Sequence, residues 1–306
     1  MWRVIDIAQP NRTLSLDRDA VKVSTEGSEI ARIPIRDVMA LMVHGPGAML
    51  SLNLADALAQ ASVPVVLCGA NHAASTVLLP VSANYEQAIR VQAQASASLP
   101  TRKRLWAELV RQKVTAQAEA LEDGGGPHAA RLEALARGVR SGDPQNVEAQ
   151  AARLYWSLLM GDEFRRDREA EGLNAALNYG YAVLRAAMSR SVIAAGLSPA
   201  FGLHHRSRLN PFQLVDDLME PFRPLVDRIV ADNLAAFAGP LDREAKARLA
   251  GVVELSLDVE GGSLAVARAM DRLCASLCDV YQGRGRALWT PRRWSASRNV
   301  AFDFDA

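Results

Sequence analysis

Residues 202–227 read GLHHRSRLNPFQLVDDLMEPFRPLVD, and the second half of this stretch determines the fold assignment. With a rotation of about 100° per residue, its apolar side chains fall within one arc of a helix. The arc keeps its phase across Pro221 and Pro224. Because proline removes an i→i−4 hydrogen bond and bends the helix axis, we predict a kinked but continuous helix. The apolar residues of the arc are Val215, Leu218, Met219, Phe222, Leu225, Val226 and Ile229.

The start of this helix is predicted at Asn210. Asparagine is a favoured N-cap residue because its side chain accepts a hydrogen bond from the first turn. Pro211 follows at the first helical position, where its missing N–H leaves no hydrogen bond unmade. We therefore expect the loop to end and the helix to begin at this pair.

Three carboxylates, Asp216, Asp217 and Glu220, lie opposite the apolar arc. Asp217 and Glu220 are one turn apart and repel each other by a few tenths of a kcal/mol. A solvated helix face tolerates this repulsion, whereas a divalent cation would convert it into ligation. His204 and His205, in the loop upstream, could add an imidazole. The residues alone leave both interpretations open.

A further carboxylate, Glu148, lies in the stretch 143–160, DPQNVEAQAARLYWSLLM. This stretch also begins with a cap-and-proline pattern, at Asp143, and continues with helical periodicity. Glu148 is at the edge of the buried stripe, beside Ala152 and Tyr155. It is either a first-turn glutamate stabilised by the helix dipole or an acid with room for a ligand beside it.

The periodicity changes once along the chain. Residues 1–80 contain short alternating or apolar runs separated by turn signals, with one amphipathic helix at residues 51–62. Residues 81–306 read as helical almost throughout. We predict an α+β protein with a small N-terminal β-sheet domain (1–80) and a larger all-α domain (81–306). The predicted strands cover residues 2–7, 13–16, 20–23, 38–43 and the run VPVVLCGA from residue 63.

Composition excludes several classes of protein. The chain has 306 residues, 49% of them hydrophobic, and a formal net charge of +1. No apolar run is long enough for a membrane span, and MWRVIDIAQPNR lacks the apolar region of a signal peptide, so we expect a cytoplasmic protein without membrane association. Only four of the 35 basic residues are lysine. A GC-rich genome explains this bias, but arginine also binds phosphate in a bidentate manner, which suits a polyanionic partner.

The stretch 282–299, QGRGRALWTPRRWSASRN, is the most basic part of the chain. It contains five arginines and two tryptophans and no acid. This mixture is expected for phosphate contact combined with base stacking. A structural tail whose tryptophans dock on a helix explains the pattern equally well.

Several of these motifs together resemble a known family. The sequence is similar to the CRISPR-associated endonuclease/integrase of spacer acquisition, the first-numbered Cas protein, and DLMEPFRPLVD is most similar to its type II members. The resemblance covers nearly the whole chain. It rests on IPIRDVMALMVHGPGAMLSLNLADALAQASVPVVLCG, NVEAQAARLYW, LNAALNYGYAVLRAAMSRSVIAAGL, GLHH and DLMEPFRP, in this order.

The resemblance implies a set of metal ligands, namely Glu148, His205 and Glu220, with Asp217 as an additional acid. Many relatives carry Asp where Glu220 stands, so this carboxylate reaches one methylene further. His204 is the alternative to His205. Two carboxylates and one imidazole suit Mg²⁺ or Mn²⁺, and the absence of thiolates argues against zinc.

By the same resemblance, the implied reaction is transesterification. The 3′-hydroxyl of prespacer DNA attacks a phosphodiester of the CRISPR array, and water as the nucleophile gives the endonuclease reaction. His205 could alternatively act as a general acid or base. The arginines expected to bind the double-stranded DNA are Arg165, Arg166, Arg206, Arg223, Arg292 and Arg293.

The resemblance also implies partners. We expect a homodimer formed through the β-domains, assembled with the second-numbered Cas protein, and the type II likeness leaves room for other acquisition factors. Two alternatives are a non-catalytic DNA-binding scaffold subunit of an acquisition complex and a helical ligand-binding regulator. The scaffold would bind DNA in a salt-sensitive manner without a need for divalent metal.

Overall fold

The computed structural model describes residues 3–68, 74–78, 80, 84–121, 127–167, 169–205 and 207–296. Strands dominate the N-terminal part of these ranges and helices dominate the rest, which confirms the predicted α+β class. The first elements are β1 (Arg3–Ile7), β2 (Thr13–Asp17), β3 (Ala20–Thr25), β4 (Ser28–Pro34), β5 (Val38–Val43), β6 (Met49–Leu50), α1 (Leu52–Gln60), β7 (Val65–Cys68) and β8 (Ala74–Leu78). The later elements are α2 (Gln87–Ala95), α3 (Leu99–Leu121), α4 (Pro127–Gly138), α5 (Val147–Met160), α6 (Leu173–Ala194), α7 (Gln213–Leu218), α8 (Arg223–Ala231), α9 (Arg243–Ala250), β9 (Ser256–Val259), β10 (Gly262–Ala265), α10 (Val266–Tyr281) and β11 (Arg293–Ala296).

The N-terminal strands form two four-stranded sheets. In the first sheet, β1, β5 and β7 are parallel and β8 is antiparallel to β7. In the second sheet, the order is β4-β3-β2-β6. The helix α1 returns the chain from the second sheet to the first, which is how parallel strands are commonly joined.

Two hydrophobic clusters hold the fold together, and the first sheet contributes to both. Leu41 and Val65 pack into the smaller cluster, which lies within the N-terminal part. Met42 and Val66, the next residues of the same strands, pack into the larger cluster with the helices. Successive strand residues point to opposite faces, so this sheet has a core on each side.

The longest helix, α3, is the centre of the helical part. Its buried residues lie on all sides of the helix, since the neighbouring helices and β11 pack around it. Among the described residues, no helix is long and apolar enough to cross a membrane.

The kinked helix predicted from the opening stretch is confirmed. The chain is helical through α7, turns through a short 3₁₀ segment at Glu220–Phe222 and continues through α8. The predicted apolar arc is buried, with only Ile229 partly exposed. Pro221 and Pro224 lie at the first or second positions of the 3₁₀ segment and of α8, where proline is tolerated.

The predicted start of that helix was wrong. The helix begins at Gln213, and Asn210 is not its N-cap. The Asn210 side chain instead accepts a hydrogen bond from the Phe212 N–H, at 3.0 Å, and donates one to Asp216, at 2.7 Å. These contacts stabilise a turn in front of the helix, a common alternative use of asparagine.

The predicted all-helical character of residues 81–306 needs a correction. A three-stranded antiparallel sheet with the order β10-β9-β11 lies within this part. The hairpin β9–β10 turns at Glu260 and Gly261, and Gly261 has a φ of 88° that favours glycine. Alternating residues around this turn are typical of a hairpin, and the helical interpretation overlooked them.

The basic stretch after α10 docks on the helical part. The Leu288 N–H donates to Glu108 of α3 at 2.8 Å, and the Trp294 N–H donates to Glu119 at 2.7 Å. Trp294 is buried and its ring packs at right angles on Phe222, with 5.0 Å between the centroids. The structural interpretation of this stretch therefore holds for Trp294.

A buried polar cluster joins the N-terminal part to the helices. Tyr179 of α6 donates its hydroxyl to Asp6 of β1 at 2.8 Å. His44, which follows β5, contacts the other oxygen of Asp6. Because Asp6 and Tyr179 are 173 positions apart, this contact fixes the first sheet against α6.

Candidate active site

Asp217 organises the loop that carries the two histidines. Its fully buried carboxylate accepts hydrogen bonds from the backbone N–H groups of Leu203, His204 and His205, at 2.6, 3.0 and 3.3 Å. It also bonds Nδ1 of His205 at 2.5 Å. The resemblance implied Asp217 as an additional acid near the metal ligands, and in the structure both of its oxygens bind the loop.

The loop can wrap around Asp217 only because residue 202 is glycine. A Cβ at Gly202 would lie 2.8 Å from Cβ of Gln213 and 3.0 Å from Oδ2 of Asp217. Both distances are shorter than normal contacts with a side-chain carbon. The glycine is therefore required for the close approach between the loop and α7.

The two histidines have different surroundings. His204 stacks on Trp106 of α3 with 4.3 Å between the ring centroids and an angle of 6°. His205 lies edge-on to the same tryptophan, and its side chain is 45% exposed. Since Nδ1 of His205 faces Asp217, its Nε2 is the nitrogen left for a ligand or a substrate.

Lys113 of α3 lies between the two predicted acidic ligands. Its Nζ is 2.6 Å from Oε1 of Glu148 and 2.6 Å from Oε2 of Glu220. Glu148 comes from α5 and Glu220 from the 3₁₀ segment after α7, so three separate elements meet at this ammonium. The side chain of Lys113 is 13% exposed and that of Glu220 is 5% exposed. This burial excludes the solvated-face interpretation for Glu220.

Glu148 is positioned by an unusual helix start. Val147 begins α5, and the preceding Asn146 is left-handed, with a φ of 53°. The Asp143 carboxylate reaches over this turn and accepts the N–H groups of Val147 and Glu148, at 2.9 and 3.0 Å. The predicted helix start at Asp143 and Pro144 was therefore wrong, because Asn146 is the N-cap residue. Asp143 still accepts hydrogen bonds from the first turn, from three positions further upstream.

Glu220 is ionised by its cationic neighbours. Burial alone would raise the pKa of its carboxyl, but Arg223 and Lys113 outweigh burial, and the pKa lies below its ordinary value. Arg223 lies 3.1 Å from Oε1 of Glu220. The ammonium of Lys113 lies 2.6 Å from the other carboxylate oxygen, Oε2.

A series of contacts connects the candidate ligands. Asp217, which bonds His205, lies three positions before Glu220, and Lys113 pairs with both Glu220 and Glu148. The hydrogen bond to Asp217 raises the pKa of His205, and the charges of Glu220 and Glu148 raise it further. The structure therefore places Glu148, His205 and Glu220, which are separated by up to 72 positions in the chain, in one region.

A cavity of about 120 Å³ adjoins this group on the side of Lys113. Arg166 and Arg223 contribute two further cations to its walls, and both guanidinium groups lie over the ring of Tyr181, at 5.6 and 4.9 Å. Ala152, the small residue predicted to leave room beside Glu148, also lines it.

Asp227 also lines this cavity. It is fully buried and accepts hydrogen bonds from the hydroxyls of Tyr155, at 3.1 Å, and Tyr181. Burial raises the pKa of Asp227 to about 7. The cavity wall thus contains a carboxyl group that changes charge near neutral pH.

The predicted DNA-binding arginines lie in three places. Arg166 and Arg223 line the cavity, while the Arg165 side chain is exposed and bonds the Phe164 carbonyl at 2.9 Å. Arg292 and Arg293 are exposed at the start of β11, next to the docked Trp294. Arg206 lies outside the described residues.

Sequence reasoning missed Lys113 and Trp106, both on α3. A signal was present, because Lys113 is one of only four lysines in an arginine-rich chain. It also lies in a helix that has buried residues on all sides. A charged residue in such a helix needs a buried partner, and here it has two.

The donor set fits a hard divalent cation, although the ligands are not assembled around one point. No group of three or more His, Cys, Asp or Glu side chains in the described ranges is arranged to hold a metal ion. The carboxylates of Glu220 and Glu148 and the Nε2 of His205 are nevertheless the oxygen-rich set that Mg²⁺ or Mn²⁺ prefers. The ammonium of Lys113 occupies the space between the two carboxylates.

Comparison with known proteins places this chain in one class, the CRISPR-associated proteins. The family described as CRISPR associated protein Cas1 matches residues 5–236. The CRISPR-associated endonuclease Cas1 of Neisseria meningitidis serogroup C (strain 8013) is 35% identical over 278 residues, which are 90% of each chain. The chain belongs to the Cas1 family.

Two solved structures share the fold. A casposase bound to integration product superimposes with a TM-score of 0.78 at 18% identity, covering 94% of this chain and 92% of the other. A chain of a Cas6-RT-Cas1–Cas2 complex gives a TM-score of 0.73 at 16% identity, with 94% of this chain and 36% of the other covered. At these identities, the likeness shows the fold alone.

Proposed function

We propose that this protein is a metal-dependent DNA endonuclease and integrase that inserts new spacers into a CRISPR array. The name of the Neisseria relative, an endonuclease, supports the nuclease activity. The fold shared with a casposase bound to integration product supports the integrase activity.

The observation that carries the proposal is the convergence of Glu148, Glu220 and His205 from three separate segments. Two carboxylates contact the same buried ammonium at 2.6 Å, and their charges act on the imidazole. A protein that used this wall only for packing would gain nothing from burying two like charges, because buried ions carry a large desolvation cost.

The proposed cofactor is Mg²⁺ or Mn²⁺, held by Glu148, Glu220 and the Nε2 of His205. When bound, such an ion neutralises charge on a phosphodiester undergoing displacement. Asp217 orients the imidazole through Nδ1 and leaves Nε2 available to the ion. The proposed nucleophile is the 3′-hydroxyl of prespacer DNA for integration, or water for cleavage.

The proposed substrate is double-stranded DNA, both the prespacer and the array. Arg166 and Arg223 lie beside the acids in the cavity wall and supply positive charge next to the reacting phosphate. Arg165, Arg292 and Arg293 are exposed and suit contacts with the DNA backbone further away.

We further propose a homodimer that assembles with Cas2. The N-terminal part exposes large apolar side chains, with Ile30, Met49 and Leu52 at 51%, 62% and 86% exposure, which suit a protein interface. The Cas6-RT-Cas1–Cas2 complex contains a chain of the same fold, which supports Cas2 as the partner.

The test is half-site integration of a labelled duplex into supercoiled array DNA, with and without Mn²⁺ and Cas2. We expect Glu148→Gln, His205→Ala and Glu220→Gln to reduce strand transfer by at least a hundredfold, and EDTA to abolish it. Glu244→Gln, on the exposed face of α9, is the matched control and keeps full activity.

Retained activity in all three site variants would contradict the site assignment. DNA binding that salt weakens and EDTA leaves unchanged, together with a complete lack of strand transfer, would instead support the scaffold function.

A further inference from the structure

We propose that Lys113 is a built-in counter-cation of the metal site, which holds Glu148 and Glu220 in place before the divalent ion binds and moves away when it enters. This inference rests on the proposed function, because it assumes that these two carboxylates bind a metal. It assigns to Lys113 a positioning role that determines both metal affinity and the coupling of metal to DNA.

The first argument is the space between the carboxylates. The Lys113 ammonium is 2.6 Å from an oxygen of each glutamate. Mg²⁺ binds carboxylate oxygens at roughly 2.0–2.1 Å, so an ion shared by both glutamates needs the space that the ammonium occupies. The two cations also repel each other, and the site therefore holds one or the other.

The second argument is the charge of the two glutamates. Each carboxylate has an oxygen 2.6 Å from the Lys113 ammonium, and Glu220 also has an oxygen 3.1 Å from Arg223. Buried carboxylates need a compensating cation. A divalent ion can take over this compensation from Lys113.

The third argument is that the adjoining cavity can accept the displaced ammonium of Lys113. Its side chain lines the adjoining cavity of about 120 Å³, so a rotamer change can move the ammonium there without a movement of α3. Arg166 and Arg223 already make that cavity positive. Asp227 also lines the cavity, but one carboxyl group cannot balance three cations, so an anion such as a DNA phosphate stabilises the moved ammonium further.

This geometry couples metal binding to DNA binding. DNA should raise the affinity for the metal because it provides a counter-charge for the displaced ammonium, and the metal should raise the affinity for DNA by the same factor. Without the charge of Lys113, metal binds the empty pair of carboxylates more tightly, and the coupling to DNA decreases.

The experiment measures Mn²⁺ affinity of the full-length protein by electron paramagnetic resonance of the free ion, with and without a prespacer duplex. We expect Lys113→Met to bind Mn²⁺ about tenfold more tightly than wild type, and DNA to improve its affinity less than it does for wild type. Lys22→Met is the control and should behave as wild type. It removes a surface lysine of β3 that lies 4.0 Å from Glu29.

A Glu220→Gln variant separates the two ways in which this idea can fail. If Glu220→Gln leaves Mn²⁺ binding unchanged, the proposed metal site is wrong. If Glu220→Gln weakens binding but Lys113→Met binds Mn²⁺ as wild type or more weakly, the metal site stands and the role of Lys113 is wrong.

A measurement on the wild-type protein covers the case in which Lys113→Met does not fold. With only four lysines in the chain, amine-reactive labelling followed by mass spectrometry reports each lysine separately. We expect saturating Mn²⁺ with duplex DNA to change the labelling rate of Lys113 several-fold and to leave that of Lys22 unchanged. An unchanged Lys113 rate under metal saturation would overturn the displacement.

Discussion

The hydrogen bonds of Asp217 lead to a prediction about the histidine loop. Its carboxylate accepts three backbone N–H groups and binds Nδ1 of His205. In Asp217→Asn, one oxygen is replaced by an amino group that cannot accept these donors, so buried N–H groups lose their partners. We expect a loss of about 1–3 kcal/mol in the free energy of unfolding and a loss of about 10–100-fold in strand transfer.

Urea unfolding and the integration assay check this prediction, with Asp216→Asn as the control. Asp216 is the adjacent acid, but its carboxylate pairs with Arg185 at 2.7 Å and accepts a hydrogen bond from Asn210, in the turn just before α7, rather than from the residues around the two histidines. Wild-type strand transfer in Asp217→Asn would contradict the positioning role.

The raised pKa of Asp227 leads to a prediction about pH. Folded Asp227 has a pKa of about 7, against an ordinary value of 3.8. Between these values the folded protein holds a proton that the unfolded chain releases, so this group's contribution is fully present below about pH 4 and is lost as pH rises through about 7.

We expect the difference in unfolding free energy between wild type and Asp227→Asn to fall by about 1.4 kcal/mol per pH unit within this window. Urea unfolding of both proteins at several pH values between 4 and 8 measures it. A difference that stays constant with pH would show that Asp227 is not protonated in the folded protein.

At the scale of elements, the contact between α6 and α8 fixes the wall that carries Arg223. A Cβ at Gly180 would lie 2.4 Å from a methyl carbon of Val226, which is fully buried. Alanine is favoured over glycine in a helix by about 1 kcal/mol, but overpacking of a dense core costs about 1–3 kcal/mol. We expect Gly180→Ala to be destabilised, and a second change, Val226→Ala, to recover part of the loss.

A double-mutant cycle by chemical denaturation measures this coupling. Gly138→Ala is the control, because a Cβ there meets nothing within 4 Å. Additive effects of Gly180→Ala and Val226→Ala would contradict the proposed clash.

The sequence predicted the local features of these elements better than their tertiary surroundings. Periodicity alone identified the kinked helix and its buried arc, because the spacing of apolar residues is a local property. Periodicity could not predict that the helix side with Asp217 and Glu220 is also buried. The loop after Gly202 and the side chain of Lys113 bury that side, and both are distant from it in the sequence. The grouping of Glu148 with His205 came from the family resemblance and from no pattern of spacing.

The missed elements have a similar explanation. β11 is hydrogen-bonded to β9, more than thirty positions upstream, and no local pattern reveals such pairing. Asn210 has the residue type of a cap, but Asp216 and Phe212 offer its side chain a competing set of hydrogen bonds.

At the scale of the whole molecule, the docked stretch after α10 packs on the 3₁₀ segment that carries Glu220. Trp294 packs on Phe222, which lies between Glu220 and Arg223. We expect Trp294→Ala to lose about 3–5 kcal/mol of unfolding free energy, as is usual for removal of a buried tryptophan. Strand transfer should fall with it, because the 3₁₀ segment loses its support.

Trp294→Phe retains an aromatic contact and should recover most of the activity. Trp289→Ala is the control, because Trp289 belongs to the same stretch but is only partly buried. Equal integration rates for Trp294→Ala and wild type, measured well below the melting temperature, would contradict this support.

The position of Trp294 also bears on how the protein is made. Glu119 and Phe222 leave the ribosome before Trp294 does, and both contact Trp294 in the folded protein. During translation the apolar back of the 3₁₀ segment is therefore uncovered, and chaperones that bind apolar surfaces have access to it. The nascent chain thus acquires the support of this tryptophan for the 3₁₀ segment only after residue 294 has been synthesised.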